Sequence, residues 1–437
     1  MKLLKLCLAV VLLLLAFYFR TPLLASLRVW VFGFILVSSV GLMSSEILIL
    51  RNNSILIKSL VSFLILTLTS FSLSAAVAFE LKFNLTKHTI LNQTPNQLET
   101  LGQHFIIGYR NLDEVKKLIR KRAIGGVFIT RRNINNKTKE QIKQEIQSLQ
   151  NLRYSQGLSP LWIATDQEGG IVSRMSPPLT QLPQLSTLVA GEERIEQKRD
   201  EIIQYATIHG KELSEIGVNL NFAPVVDLNK GIINPKDKYS KIYLRSISAD
   251  KNIVTKVALW YCQTLEKYGV ECTIKHFPGL GRVDTDTHLD HAELKSSVEE
   301  LSQDDWIPFR ELMSKSGAFT MLGHAKLTAV DADHPVSFSK QVVTEIIRND
   351  WQHDGILITD DFSMQAVYGT KDGIENATVK AINAGVDLIL ISYDTDLYYE
   401  AMAAGLKAQK LDKLAPSMLS KSQKRIEQTK NRLMISH

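Results

Sequence analysis

The chain has 437 residues, enough for one large catalytic domain with an appendage and too many for a single small module. Hydrophobic residues make up 45% and charged residues 22%, which excludes wholesale disorder. Of 51 Lys and Arg and 45 Asp and Glu, residues 1–80 hold six basic residues against Glu46 and Glu80, so the body is close to neutral and gives no reason to expect nucleic acid as a partner.

Three apolar runs open the chain. Leu6–Phe19 is uncharged and led by Lys2 and Lys5; Val29–Leu50 carries only Glu46; Ser59–Phe79 has no charge over 21 residues. The last is long enough to cross a hydrocarbon layer of roughly 30 Å. The first alone would suit the core of a signal peptide, but a second run follows it with no clear cleavage site between them. Residues 1–80 are therefore expected to be a membrane anchor of two or three helices in contact with lipid, and 81–102 a linker. A single ionisable residue inside the runs points to an anchor rather than a transport path. With three spans, Lys2, Lys5, Arg51 and Lys58 favour a cytoplasmic first end and a body on the extracytoplasmic face; with two, the body is cytoplasmic. Arg20, Arg28, Lys82 and Lys87 cancel most of that vote. The expected location is the cytoplasmic membrane, with the body on its outer face.

Beyond Leu91, short apolar runs alternate with longer amphipathic ones. The runs His104–Tyr109, Ile124–Thr130, Leu161–Asp166, Asn219–Asp227, Glu271–His276, Phe319–His324, Ile356–Asp360 and Asp387–Ser392 read as strands buried on both faces, each followed by a helical stretch. Eight such units predict an α/β fold, a single (β/α)8 barrel over 103–415, with a C-terminal helix over 416–437 packing on it. A doubly wound open sheet would want a glycine-rich phosphate turn after the first strand, and Gly108-Tyr-Arg-Asn-Leu112 is not one. Three cysteines are too few for a disulfide framework. Cys262 and Cys272 could pair only if the fold brings them together, and are read as buried thiols.

In such a barrel chemistry gathers at the carboxyl ends of the strands. There the sequence places Asp166-Gln-Glu-Gly-Gly170 with Arg174, then Asp227, then Lys275-His276 with Asp286 and His288, then His324, then Asp360-Asp361. One polar strand end is commonly a cap or loop carboxylate; five together mark a site. No nucleophilic Ser or Cys stands beside a base, and no cofactor loop is present. A carboxylate plus a proton donor is what glycosidic cleavage requires. Asp361, next to Asp360, points the other way if the backbone is extended and reads as a structural partner.

Asp166-Gln-Glu-Gly-Gly170, Lys275-His-Phe-Pro-Gly279 with Asp286-Thr-His288, and Ile358-Thr-Asp-Asp-Phe-Ser-Met364, in this order, resemble glycoside hydrolase family 3, in its bacterial β-N-acetylhexosaminidase branch. The likeness spans roughly Gln103 to Lys407. It implies a retaining hydrolase of terminal β-linked N-acetylglucosamine on a single barrel, acting on peptidoglycan fragments or chitooligosaccharides. The resemblance puts the nucleophile on Asp360, the acid/base on His288 with Asp286 as its partner, and sugar binding on Asp166, Arg174, Arg245, Lys275 and His276. It implies a saccharide substrate and no metal or organic cofactor. Gly279 and Gly281 would let the loop bearing the dyad swing. Two positions depart from the family pattern: Leu280 stands where a His is usual, and Ile171 where an Arg is. A glucosidase or xylosidase of the same family, and an inactive saccharide-binding barrel, are the competing readings.

Overall fold

The computed structural model describes residues 2–52, 56–191 and 194–435; residues 436 and 437 of the expected C-terminal helix lie outside them. The chain divides into two compact units, Met1–Asn92 and Gln93–His437.

The first unit is built from α1 (Lys2–Tyr18), α2 (Arg28–Asn52) and α3 (Leu56–Asn92). Ala9, Leu12, Ala16, Ile35, Leu42, Ile65 and Ala76 form its apolar interior, while Val29, Trp30, Val37, Leu60 and Phe63 point outward. Among the described residues, Arg28–Arg51 and Leu60–Asn92 are long and apolar enough to cross a membrane by length and composition. The first run forms a 17-residue helix packed against the other two. Glu46, the charge within the second run, is fully buried and paired with Lys2 and with Lys5, the latter at 2.8 Å. At the other end Arg20 meets Glu80 at 2.6 Å. Both pairings draw charge from flanking residues and keep the middle of the unit apolar. Residues 81–102, expected as a linker, are helical instead: α3 continues to Asn92, and α4 (Pro95–Gly102) follows behind a Thr94 cap.

The second unit is a closed barrel of eight parallel strands: β1 (Phe105–Ile107), β2 (Gly126–Phe128), β3 (Trp162–Thr165), β4 (Leu220–Asn221), β5 (Glu271–Phe277), β6 (Phe319–Leu322), β7 (Leu357–Asp361) and β8 (Leu388–Ile391), with β8 pairing back onto β1. Every expected strand is present. Its interior is filled by side chains such as Ile106, Phe128, Trp162, Phe222, Met321 and Ile358. Phe128 stacks on Phe222 at 5.6 Å, and Trp162 meets Phe319 edge-on at 5.1 Å. The register slips between Ile274 and Phe277 in β5, and between Ile358 and Asp361 in β7. Such bulges re-aim side chains at a strand end, and both fall where the polar residues lie.

The C-terminal helix α5 (Pro416–Ile435) closes the amino-terminal end of the barrel. Its Ile426 joins the barrel core, and Lys430 is buried over the Trp162 ring. Asp387, just before β8, accepts from Arg425 and Ser422 of this helix at 2.9 and 2.7 Å, and from Arg348 at 2.7 Å. Cys262 and Cys272 are not separate thiols. They form a disulfide between helix Lys251–Glu266 and β5, with Cα atoms 5.4 Å apart. The helix packs directly on the strand, which the ten-residue spacing does not reveal.

Glu271, at the entry of β5, is buried, and burial pushes its carboxyl up to about 7 against a downward pull from Arg432. The folded chain thus keeps a proton that the unfolded chain releases above the ordinary value of 4.5, so stability falls as pH rises between these two values. Glu271→Gln is expected to remove that slope. It should raise stability at pH 8 by up to about 3 kcal/mol, with a far smaller change at pH 5, as read by urea unfolding at both pH values.

Candidate active site

The site lies at the carboxyl ends of the strands and is organised around a buried carboxylate absent from the expected set. Glu168, two residues past Asp166, accepts from Arg245 Nε at 2.9 Å and Nη2 at 2.7 Å, and sits 2.7 Å from Lys275 Nζ. Burial would raise its pKa, but Arg245 and Lys275 hold it down at about 2. Lys275 also donates to Asp166 at 2.7 Å. Three of the expected sugar-binding residues, from three different segments, are thereby locked into one ionic cluster. The backbone under Glu168 is held too. Asn221 pairs with the Gln167 amide and carbonyl, each at 2.9 Å, and the Tyr205 hydroxyl donates to the Glu168 carbonyl.

His276 follows Lys275 and is oriented by Asp227 at the end of the β4 segment, with Nδ1 and Oδ2 2.7 Å apart. The same carboxylate accepts from the Leu280 amide at 2.6 Å. Leu280 itself packs with Ile242, Ala292 and Ala325. The side chain that departs from the family pattern therefore anchors the start of the loop in a small apolar cluster. Gly281 is required there for space, since a Cβ would lie 1.8 Å from the Leu228 carbonyl oxygen. Arg174 sits on a short hairpin after β3, exposed, with its amide donating to the Asp166 carbonyl at 2.9 Å. Ile171, the other departure, is exposed at the tip of that hairpin.

Asp360 is half-buried near the end of β7. Burial opposes its charge, yet the facing His276, His324 and His288 pull its pKa down to about 2. Asp361 serves a separate purpose: it accepts the Ser392 hydroxyl at 2.6 Å and the Tyr393 amide at 2.9 Å, tying β7 to the end of β8. His324 is buried between the Ser337 hydroxyl and the Asp361 carbonyl, and burial lowers its pKa.

Asp286 and His288 lie on the long loop after β5. Asp286 Oδ1 is 2.8 Å from His288 Nδ1 and also accepts the His288 amide. Burial would raise the Asp286 carboxyl, but the hydrogen bond and charge of His288 lower it. This fixes Nδ1 toward Asp286 and leaves Nε2 outward, on a ring whose side chain is 40% exposed. The loop is docked from two directions. Asp286 Oδ2 accepts the amides of Lys238 and Tyr239, and the carbonyls of Thr287 and His288 accept the amides of Ala366 and Gln365, each at 3.2 Å. The last pair lies just past Asp360, so the dyad and Asp360 share one mouth of the barrel. Among the described residues, no group of three or more His, Cys, Asp or Glu side chains is placed to hold a metal ion.

Glu168, Asp227 and His324 carry structural weight that their positions in the sequence only hint at. Each stands at or near a strand end, but its partners arrive from other loops.

The profile of the glycosyl hydrolase family 3 N-terminal domain matches residues 91–429. The chain is similar to β-hexosaminidase A of Pseudoalteromonas piscicida, 30% identical over 73% of this chain and 55% of that protein. It is also similar to a β-hexosaminidase of Neisseria gonorrhoeae, 34% identical over 68% of this chain and 78% of the relative. Among solved structures, a glycoside hydrolase family 3 β-N-acetylglucosaminidase from a Paenibacillus species superimposes with a TM-score of 0.71 at 28% identity, covering 78% of this chain and 63% of that one. The chain thus spans about half of the Pseudoalteromonas protein and less than two thirds of the Paenibacillus chain.

Glu168→Gln keeps the shape of the side chain and removes the charge between Arg245 and Lys275. Leaving two buried cations undercompensated should cost about 3–5 kcal/mol. Urea unfolding of the variant against the parent chain measures it, and a loss below about 1 kcal/mol would contradict the central place given to this carboxylate.

Proposed function

The chain belongs to glycosyl hydrolase family 3, and on that footing we propose that it is a retaining β-N-acetylhexosaminidase that releases terminal β-linked N-acetylglucosamine. Asp360 is the nucleophile and His288, oriented by Asp286, the proton donor and acceptor. The observation that carries this reading is the His288–Asp286 hydrogen bond at 2.8 Å, on a loop docked against the segment that follows Asp360.

In the first step the Asp360 carboxylate attacks the anomeric carbon while His288 Nε2 gives its proton to the glycosidic oxygen, and the leaving group departs as an alcohol. In the second, His288 takes a proton from water, the water oxygen attacks the anomeric carbon, and the bond to Asp360 breaks. A carboxylate held at about 2 is ionised at neutral pH and available to attack. Asp286 stabilises the ring when it carries two protons. Asp166, Arg174, Arg245, Lys275 and His276 hold the sugar hydroxyls, and the Glu168 cluster keeps three of them in place before substrate arrives. The substrates are peptidoglycan fragments or chitooligosaccharides.

Localisation is part of the proposal. α2 and α3, with α1 packed on them, anchor the enzyme in the cytoplasmic membrane. The flanking charges nearly cancel across the two sides, and a Cys262–Cys272 disulfide belongs in an oxidising compartment. This supports three spans and a barrel outside the cytoplasm.

Asp360→Ala should lower release of nitrophenol from an aryl N-acetylglucosaminide by at least about 10⁴-fold, and the parent enzyme should prefer that substrate to the corresponding glucoside. Full activity in the variant would refute the nucleophile. For the orientation, Cys262 and Cys272 in freshly denatured cells should resist alkylation until a reductant is added, and the barrel should be cut by protease added to spheroplasts. A reduced pair in a protected barrel would place it inside.

A further inference from the structure

The helices that follow β1 and β8 end at the closed end of the barrel, and together with α5 they gather cations there. Lys117 and Arg120 lie in the last turn of helix Leu112–Arg120, Lys410 ends helix Leu397–Lys410, Lys413 follows it, and Lys421 and Lys424 lie on α5. All six are exposed, and among the described residues none of their side chains forms an ion pair or hydrogen bond. Acids are fewer on this side. Asp113, Glu114 and Glu400 lie at the other, amino ends of these helices. Glu99 is taken by Arg122 at 2.6 Å, which leaves Asp412 and Glu427 against the six cations.

The helix dipole favours cations in a last turn and accounts for Lys117, Arg120 and Lys410. It does not account for Lys421 and Lys424, in the first half of α5, or for Lys413, in the turn before it. Apolar exposure accompanies the charge. Leu411 is 52% exposed between Lys410 and Lys413, and Tyr154, which ends helix Lys139–Tyr154, is 54% exposed. The turn after Tyr154 is joined to helix Leu112–Arg120, since Gln156 Nε2 donates to the Ile119 carbonyl at 3.1 Å. The chain also enters the barrel here. α4 leads from Gln93, the residue after α3, to β1, and its Leu101 lies over Gly405 of helix Leu397–Lys410. The Gln93 carbonyl accepts from Lys121 Nζ at 3.2 Å. The basic sector therefore surrounds the point at which the apolar segment joins the barrel.

On the membrane anchoring read above, on which this inference rests, we propose that this sector of the closed end is a docking surface for a bilayer that carries anionic lipid. Its cations meet the lipid phosphates, while Leu411 and Tyr154 sit at the level of the headgroups. An acidic polymer in solution would use the charge but offer the exposed leucine no apolar layer. The carboxyl ends of the strands, with Asp360, then face away from the bilayer, open to saccharides too bulky to approach the headgroups.

The full chain in nanodiscs tests it. Cys7→Ser removes the free thiol, the Cys262–Cys272 pair is left unreduced, and Leu411→Cys or Ile233→Cys carries a fluorophore. Ile233 is 65% exposed on the loop after β4, at the mouth. The discs hold phosphatidylcholine alone or with phosphatidylglycerol, and lipids that bear a nitroxide quencher on the headgroup. Quenching at Leu411→Cys should be at least about threefold greater in the anionic discs. That surplus should vanish in about 1 M salt, where the screening length is about 3 Å. Lys421→Glu with Lys424→Glu should remove at least about half of it, with urea unfolding unchanged to show the fold intact. Ile233→Cys should show no surplus. No surplus at Leu411→Cys, an equal one at Ile233→Cys, or one that survives the charge reversal overturns the docking surface. If the chain elutes apart from the discs, the anchoring fails and this inference with it, whereas incorporation without the surplus removes the inference alone.

Discussion

A carboxylate sealed between a guanidinium and an ammonium organises the polar end of this barrel. Glu168 is buried, its two cations come from distant segments, and each is itself almost inaccessible to water. Removing charges from water costs several kcal/mol per ion, repaid only when geometry is good and every lone pair is used. Here the guanidinium is gripped at two nitrogens and the ammonium is shared with Asp166. The result is a set of donors fixed in direction before any ligand arrives. Such fixed dipoles favour charge separation at a reacting centre far more than mobile surface groups do.

The barrel reaches this arrangement by departing from regularity where its strands end. The slip in β5 lets consecutive residues work together: Lys275 reaches the ionic cluster, and His276 reaches Asp227. The slip in β7 separates two adjacent aspartates, one facing three histidines and the other stitching β7 to β8. At the opposite end, α5 covers the opening and Asp387 binds two arginines. The ionic cluster and the closing helix are thus divided between the two ends of one cylinder.

Much of this was legible in the residue order. The eight strands announce themselves as short uninterrupted apolar runs, because each is covered on both faces. The clustering of polar residues at their ends shows in the sequence for the same reason. What escaped it depends on distant partners. Glu168 reads as one acid in a glycine-rich turn until Arg245 comes beside it. The Cys262–Cys272 bond depends on which face of a helix meets which residue of a strand. Residues 81–102 look like a linker because Glu80, Lys82 and Lys87 break the hydrophobicity, yet a helix that has left an apolar phase needs only continued backbone bonding to go on.

The double docking of the segment 286–288 bears on how such a molecule is altered by descent or by engineering. Its carboxylate takes amides from 238–239, and its carbonyls take amides from 365–366. Three stretches far apart in the gene therefore interlock, 286–288 meeting 365–366 through main-chain atoms and 238–239 through the Asp286 carboxylate, so that a change in loop length, or replacement of Asp286 itself, breaks the arrangement. Transplanting any one of them from a homologue would break register with the other two. Successful chimaeras of this chain should have to exchange all three together.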